Sequence, residues 1–447
     1  MSRTKVDTTK VLLLLPNQMF DIKHFKQNKI NNKTHKVVLY EHPQYFTKYN
    51  FNKKKLILHY ASMKYYKDYL EKNKYNVNLI KFSEKFNLKD YEMFTSADKL
   101  NLKPTMEYDN PNYLLNKELH EKYQKKTKSF MFNNFYMWSK KELDILKGVK
   151  STDKMNRERM PKGIKIPKLK ELHKTDKDYI IDAVKDVDKD FNKNYGNTDN
   201  FIYPVTHKSA RLFLRNFIKY KFKKFGPYQD FIRKGESYMF HSILSSSINI
   251  GLINPLDIIN EIEKIKSQIP MNSYEGYIRQ LFWREYQLYC YNYVDFDNAL
   301  KKPYFNYKNK INKSWYDGTT GNEVVDDTIK KGFDTGYLHH IERLMVMGNY
   351  MNLREIKPED GFKWFIEFPI DSYDWVMYQN VYDMVFFVTT KTMRKPYISS
   401  ENYLLKMSDY KKGKWSEEWR DLYNKFLKKN KDKLWKYRYS FPTLKNM

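Results

Sequence analysis

Two periodicities divide this chain, and the change from one to the other limits the folds open to it. Up to about residue 135, short apolar runs alternate with helical spacing. Val11–Leu15 is a continuous apolar run ended by Pro16-Asn17-Gln18, the pattern of a strand buried on both faces. Lys36–Glu41, Val77–Phe82 and Ser129–Phe132 read as further strands. Leu56–Lys72 sets Leu56, Met63, Tyr66 and Leu70 on one helical face, and residues 112–126 read as another helix. Such alternation predicts an open, mostly parallel α/β sheet, Rossmann-like in its layers, with ligands at the C-terminal strand ends. Neither G-x-G-x-x-G nor a Walker A pattern occurs there, so a standard dinucleotide site is not expected in this half.

Residues 136–205 break the pattern. Lys147–Lys170 is basic, interrupted by Gly148, Pro161, Gly163 and Pro167, and predicts an extended interdomain linker. From Thr206 on, strand patterns vanish. Helices are expected at His207–Phe225, stopped by Gly226-Pro227, and at Pro255–Lys266, Ser273–Asn292, Asp326–Lys331, Tyr337–Met351, Pro358–Phe368 and Ser416–Lys428. The expected organisation is an α/β domain over 1–135, a linker over 136–205 and an all-α domain over 206–447.

Composition narrows the chemistry. Cys290 is the only cysteine, so an internal disulfide, a zinc ribbon and a four-cysteine iron–sulfur site are all excluded, and a reducing intracellular compartment is expected. No run of eighteen apolar residues occurs, so no membrane helix is expected, and the first residues lack the apolar core of a signal peptide. The formal net charge of +29 favours a polyanionic partner, nucleic acid first. The abundance of Lys, Asn, Tyr, Ile and Phe also suits an AT-rich genome, in which case part of the charge is solvated surface.

Six stretches carry candidate chemistry, each with a plainer alternative. His339 and His340 point about 100° apart on a helix, so they cannot face one metal as an i, i+4 pair would, and no metal site is expected. They are either one core and one surface histidine, or a pair with one imidazole acting as proton donor. Arg343 and Asp371 are either solvated charges or a buried pair. Trp364, Tyr373 and Trp375, among phenylalanines, are either plain core or a redox relay. Arg279, Trp283 and Tyr286 share one face of a helix, suited to core packing or to base and phosphate contact. Phe240–Asn249 (FHSILSSSIN) offers hydroxyls for a phosphate or for capping. Residues 411–447 hold 12 Lys and Arg against 4 Asp and Glu, interleaved with Trp and Tyr, either a DNA-facing segment or a solvated helical face.

The order of the motifs is more specific than any one of them. LPNQMF, YEHPQYF, FYMWSKKELDIL, NRERMP, FGPYQDFI, FHSILSSSINIGLINP, EGYIRQLFWREY, YLHHIERLMVMGN and KPYISSENYLLKMSDY follow one another along nearly the whole chain. The series resembles the prokaryotic branch of the photolyase/cryptochrome family, the iron–sulfur bacterial cryptochromes and photolyases. The resemblance implies an α/β antenna domain and a helical domain holding FAD. It implies a monomer that repairs UV-damaged DNA with blue light, most closely (6-4) photoproducts, by electron transfer from excited reduced flavin. The alternatives are repair of cyclobutane pyrimidine dimers and a cryptochrome-like photoreceptor without repair. It assigns the FAD contacts to Tyr228, His241, Ser242, Ser245, Arg279, Trp283, Arg343 and Asp371. It makes His340 the active-site histidine with His339 beside it, and Trp364, Tyr316, Tyr373 and Trp375 the electron-transfer aromatics. Asn17, Gln18 and Glu41 match a lumazine-type antenna pocket.

Three departures stand out. The cluster cysteines are missing: MSDYKKGKW, with Lys411 and Trp415, replaces a cysteine pair, and Val324 stands at another ligand position. Met377 replaces an acidic residue expected near flavin N5. Tyr316 stands where relatives carry a relay tryptophan, with Trp315 adjacent.

Overall fold

The structure, a computed structural model, describes residues 9–446. The chain forms two compact units. One holds the chain up to Leu119 with Lys170–Asn216 and Ser242–Lys264; the other holds His120–Leu169, Phe217–His241 and Ile265–Met447. The chain crosses between them several times, so neither unit is one continuous stretch of sequence.

The first unit is built on five parallel strands: β1 (Lys10–Leu14), β2 (His35–Tyr40), β3 (Val77–Ile80), β4 (Glu92–Phe94) and β5 (Met106–Tyr108), in the order β3-β2-β1-β4-β5. β1 is central, and Leu12 to Leu15 are wholly buried, as a strand covered on both faces requires. Strand order reverses between β1 and β4, which puts a ligand crevice at their C-terminal ends. β4 and β5 have three residues each, too few for a readable alternation, and were not foreseen from sequence. The strand expected at Ser129–Phe132 does not form: Phe132 begins the helix Phe132–Glu142 in the second unit, because Phe135, Tyr136, Trp138 and Ser139 recur at helical spacing on a buried face.

Only part of the expected linker is extended. Lys174–Asp190 is a helix that buries Ile180, Ala183 and Val187. It packs along Lys53–Lys72, with Lys64 to Asp186 at 2.6 Å and the Tyr60 hydroxyl donating to Asp190 at 3.1 Å.

The second unit is organised by the helix Met271–Tyr293, buried over most of its length. Beside it runs the short helix Phe222–Tyr228, which contains Gly226-Pro227 and is not stopped by them. Pro227 has no N–H for the Lys223 carbonyl four residues back, a gap that normally breaks a helix. The Ser273 hydroxyl fills it by donating to Lys223 O at 3.2 Å, and accepts the Gly226 N–H at 2.8 Å. The approach is close enough that a Cβ on Gly226 would lie 2.5 Å from the Asn272 and Ser273 backbone. Gly226→Ala is therefore expected to destabilise the protein by about 1–3 kcal/mol, the usual cost of overpacking, in thermal or urea unfolding.

Candidate functional site

The second unit brings three histidines together. The helix expected over Tyr337–Met351 starts only at His340, so Tyr337 to His339 lie outside it, and Glu342–Gly348 winds as a π-helical run before α geometry resumes at Asn349–Leu353. His339 is wholly buried and lies 4.9 Å from the ring of His241, stacked at 19°; the His340 ring stands edge-on to both. Nitrogens of the three lie within 4.8 Å of one another. The parallel stacking of His241 and His339 runs their in-plane lone pairs side by side, whereas a zinc ion needs them to converge. Burial pulls His241 down to about 3 and holds His339 well below the ordinary histidine range, so both rings are neutral. The His340 side chain is 43% exposed, and its Nε2 meets the Asp230 carboxylate at 2.8 Å. That contact fixes Nε2 as the protonated nitrogen and leaves Nδ1 for other chemistry.

Asp230 ends a chain of charges. Arg157 lies 3.7 Å from Asp230 and 2.7 Å from Asp153. Asp153 also holds Arg279 at 2.8 Å, and Arg279 is 3.5 Å from the fully buried Glu275. Glu275 accepts from the Tyr136 hydroxyl at 2.7 Å and from Thr152. Arg279, expected to line a cofactor cavity, thus spends its guanidinium on the 147–170 segment. Asp153 and Arg157 have no periodic pattern around them to single them out, and Asp230, just past the helix Phe222–Tyr228, meets His340 only through a long-range contact. The one available signal was the repeated acid–base alternation around NRERMP.

Arg343 and Asp371 form a two-pronged pair at 3.0 and 3.1 Å, and the Arg343 Nε donates to Leu338 O at 2.7 Å. Trp364 is wholly buried and its indole N–H donates to Trp315 O at 2.7 Å. Its ring meets Phe333 at 5.9 Å, and Phe333 meets Tyr316 at 5.6 Å. Tyr373, Trp375 and Met377 are buried around the turn that opens Asp374–Met377, with Arg284 4.8 Å over the Trp375 ring. Trp283 stacks on Phe132 at 3.7 Å. Tyr228 joins an apolar cluster with Met160, Phe231, Met239 and Phe240.

Residues 12–105 and 88–203 match the family described as deoxyribodipyrimidine photo-lyase-related protein, and residues 277–438 match the FAD binding domain of DNA photolyase. A (6-4) photolyase of Agrobacterium fabrum is 34% identical over 243 residues, which are 52% of this chain and 46% of that protein. The chain thus spans about half the length of this curated relative. The class III photolyase structure from Agrobacterium tumefaciens superposes with a TM-score of 0.57 at 15% identity, covering 95% of this chain and 88% of that one. The cryptochrome structure from Synechocystis sp. gives 0.59 at 12% identity, covering 95% and 89%. The chain belongs to the photolyase/cryptochrome family.

A photolyase-type FAD domain must hold an anionic cofactor, and the second unit has groups that fit one. The Lys221 ammonium is buried without a hydrogen-bond partner and is pulled down to about 8 by desolvation. The His241 Nδ1 is likewise buried and unpartnered. A diphosphate would satisfy Lys221, and a hydrogen-bond donor would satisfy the His241 Nδ1, which is an acceptor because Nε2 faces the Gln229 carbonyl at 3.1 Å. Lys221 lies within the expected helix His207–Phe225, where one lysine among many carries no signal of its own.

In the first unit, Ser242 precedes and Ser245 opens the short helix Ser245–Asn249, in which the Ser246 and Ser247 hydroxyls are buried and unpartnered. At the strand crossover, the Gln18 amide donates to Phe94 O at 2.9 Å and the Asn17 amide to the Tyr45 hydroxyl at 3.2 Å. The Asn17 Oδ1 has no partner. Glu41 follows β2 and accepts the Phe82 N–H at 3.2 Å; burial pushes its carboxyl up to about 7 from 4.5. Between those values the native state keeps a proton that the unfolded chain has lost. Stability from this group is full below the unfolded value and falls as pH rises to about 7. Glu41→Gln is expected to raise the melting temperature at pH 8 by about 2 °C or more, and to leave it unchanged near pH 4, in parallel thermal scans.

Proposed function

We propose that this chain is a light-driven, FAD-dependent DNA photolyase acting on UV pyrimidine lesions, (6-4) photoproducts first. The observation that carries the reading is His340: an exposed imidazole, oriented by Asp230 and backed by two neutral buried histidines, in a stretch that matches a photolyase FAD domain. Bound FAD, once reduced, supplies the electron that blue light promotes onto the lesion. His340 presents Nδ1 to the lesion and moves its proton, while Asp230 holds the ring's far side. His339 and His241 exclude water behind it.

Arg343 and Asp371 hold the flavin ring side, with Trp283 and Met377 lining the cavity, and Tyr228 with Phe240–Ser245 takes the phosphate and ribitol side. Lys221 compensates negative charge, His241 contributes a neutral ring acceptor, and Arg279, its charge taken up by Asp153 and Glu275, lines the cavity. Met377 offers no proton acceptor, which shifts the balance of flavin redox states toward those that need none. Trp364 begins the electron route, and Phe333 to Tyr316 is its proposed continuation, with Tyr373 and Trp375 alongside. One cysteine cannot ligate a four-iron cluster, which supports a cluster-free enzyme. Asn17, Gln18 and Glu41 support a lumazine-type or other heteroaromatic antenna. The net charge of +29 supports DNA as partner, and the single cysteine supports a reducing compartment, cytoplasm or nucleus, for a monomer. No helix among the described residues is long and apolar enough to cross a membrane.

The second reading, a flavin photoreceptor without repair, draws on Met377 and the missing cluster ligands. Photoreduced protein given oligonucleotides with a (6-4) photoproduct or a cyclobutane dimer, lit and dark, separates the readings. Light-dependent restoration identifies a photolyase and its lesion; FAD binding without restoration favours the photoreceptor. His340→Ala is expected to keep FAD and lose (6-4) repair by about 100-fold or more, the usual scale for a positioned acid. Asp230→Asn should lower repair per absorbed photon while leaving lesion affinity within about 2-fold.

A further inference from the structure

Tryptophan is costly to leave in water, and this chain hides most of its tryptophans. Trp138, Trp315, Trp364, Trp375, Trp415 and Trp419 are buried, and Trp283 is half-covered by Phe132. Trp435 is 46% exposed, and Tyr439, one helical turn further on, is 76% exposed. Both lie on the 3-10 run Trp435–Ser440. Mobility does not explain the exposure. Leu434, Phe441 and Leu444 on either side are buried to 1% or less, and the Lys433 ammonium donates to Tyr304 O at 2.8 Å. The backbone is thus pinned, and the two rings are held outward.

Cations surround these rings. The Arg438 guanidinium lies 5.4 Å from the Trp435 centroid and 4.8 Å from that of Tyr439, and the Lys445 ammonium lies 5.4 Å from Tyr439. Between residues 428 and 445, seven Lys or Arg residues face one acid, Asp432. An exposed cation–π contact is worth about 0.5–1 kcal/mol. Burying a large apolar side chain is worth about 1.5–3 kcal/mol. Three such contacts sum to about 1.5–3 kcal/mol against about 3–6 kcal/mol for burying both rings, so the cations offset only part of what the rings forgo by staying in water, and a partner that covers them accounts for the rest. Rings interleaved with positive charge suit one chemistry above others: unpaired bases that stack while their phosphates are neutralised.

We propose that Trp435 and Tyr439 form a stacking platform for single-stranded DNA, with Arg438, Lys436 and Lys445 holding the backbone. The proposal goes beyond lesion repair and needs neither light nor a lesion. It gives the protein a way to hold a strand with unpaired bases independently of His340.

The test uses the flavin-loaded full chain in the dark with a fluorescein-labelled twelve-nucleotide oligo-dT and a matched abasic strand of equal charge. Trp435→Ala and Tyr439→Ala change no formal charge, so purely electrostatic binding would not respond to them. Each is expected to weaken oligo-dT binding by about 5-fold or more, the scale of one lost base stack, with the abasic strand unaffected. The slope of log affinity against log salt should stay the same in both, and fall by about 0.7 in Arg438→Gln. Unchanged oligo-dT affinity in both ring variants, or an equal loss on the abasic strand, overturns the proposal. Tyr439, the more exposed ring, decides the matter if Trp435→Ala loses flavin. Because no repair is measured, a protein that repairs nothing can still pass, and an efficient photolyase can still fail.

Discussion

Glu275 is a carboxylate with no access to water, and the second unit is arranged around satisfying it. Removing one partner of such a group leaves an uncompensated charge at a cost of several kcal/mol. Its partners come from three places: the Tyr136 hydroxyl on one neighbouring helix, Thr152 on the irregular segment, and Arg279 one turn along its own helix. Arg279 then needs Asp153, Asp153 takes Arg157, and Arg157 reaches Asp230 beside His340. A stretch with no hydrophobic reason to adopt one path is thereby fixed by charge, and its far end orients the one exposed histidine.

Much of this was legible in the sequence, for reasons that differ by element. β1 and β2 could be read because continuous apolar runs of five or six residues have few other uses. The pair Arg343–Asp371 and the histidine doublet came from motif order, and the structure forms the pair and sets the doublet beside His241. Short strands such as Glu92–Phe94 were invisible because three residues carry no period. Ser129–Phe132 misled because an aromatic run suits a strand and a helix start equally, and only the later residues Phe135, Tyr136 and Trp138 decide. The Gly226-Pro227 stop failed because a side chain 46 residues away, Ser273, does the work of the missing backbone donor. Long-range satisfaction of that kind has no local signature, and the same holds for the contact of Asp230 with His340.

Around Trp415, tryptophan and tyrosine fill space: Tyr350 meets Trp315 at 5.5 Å and Trp419 at 5.3 Å, and Trp419 meets Trp415 at 6.5 Å. Arg354 and Tyr350 both bond to Glu418 there. Packing and ion pairs together knit this region. Around the histidines polar support is uneven: Asp230 meets His340 at 2.8 Å, while the His241 Nδ1 and the His339 Nε2 make no hydrogen bond.

The π-helical run Glu342–Gly348 has a consequence for how the site is encoded. An α-helix turns about 100° per residue, and a π-helical run accommodates an extra residue per turn without changing what lies before it. Deleting one residue from this run would let it relax to α geometry with the phase of Asn349–Leu353 relative to His340 nearly kept, because the wider turn is what absorbs the extra residue. Gly348, whose missing side chain lets Val385 approach, closes the run. The stretch between the histidines and the core behind them therefore stores one residue of slack, so a single-codon deletion here would be borne better than one in the α-helical stretch that follows.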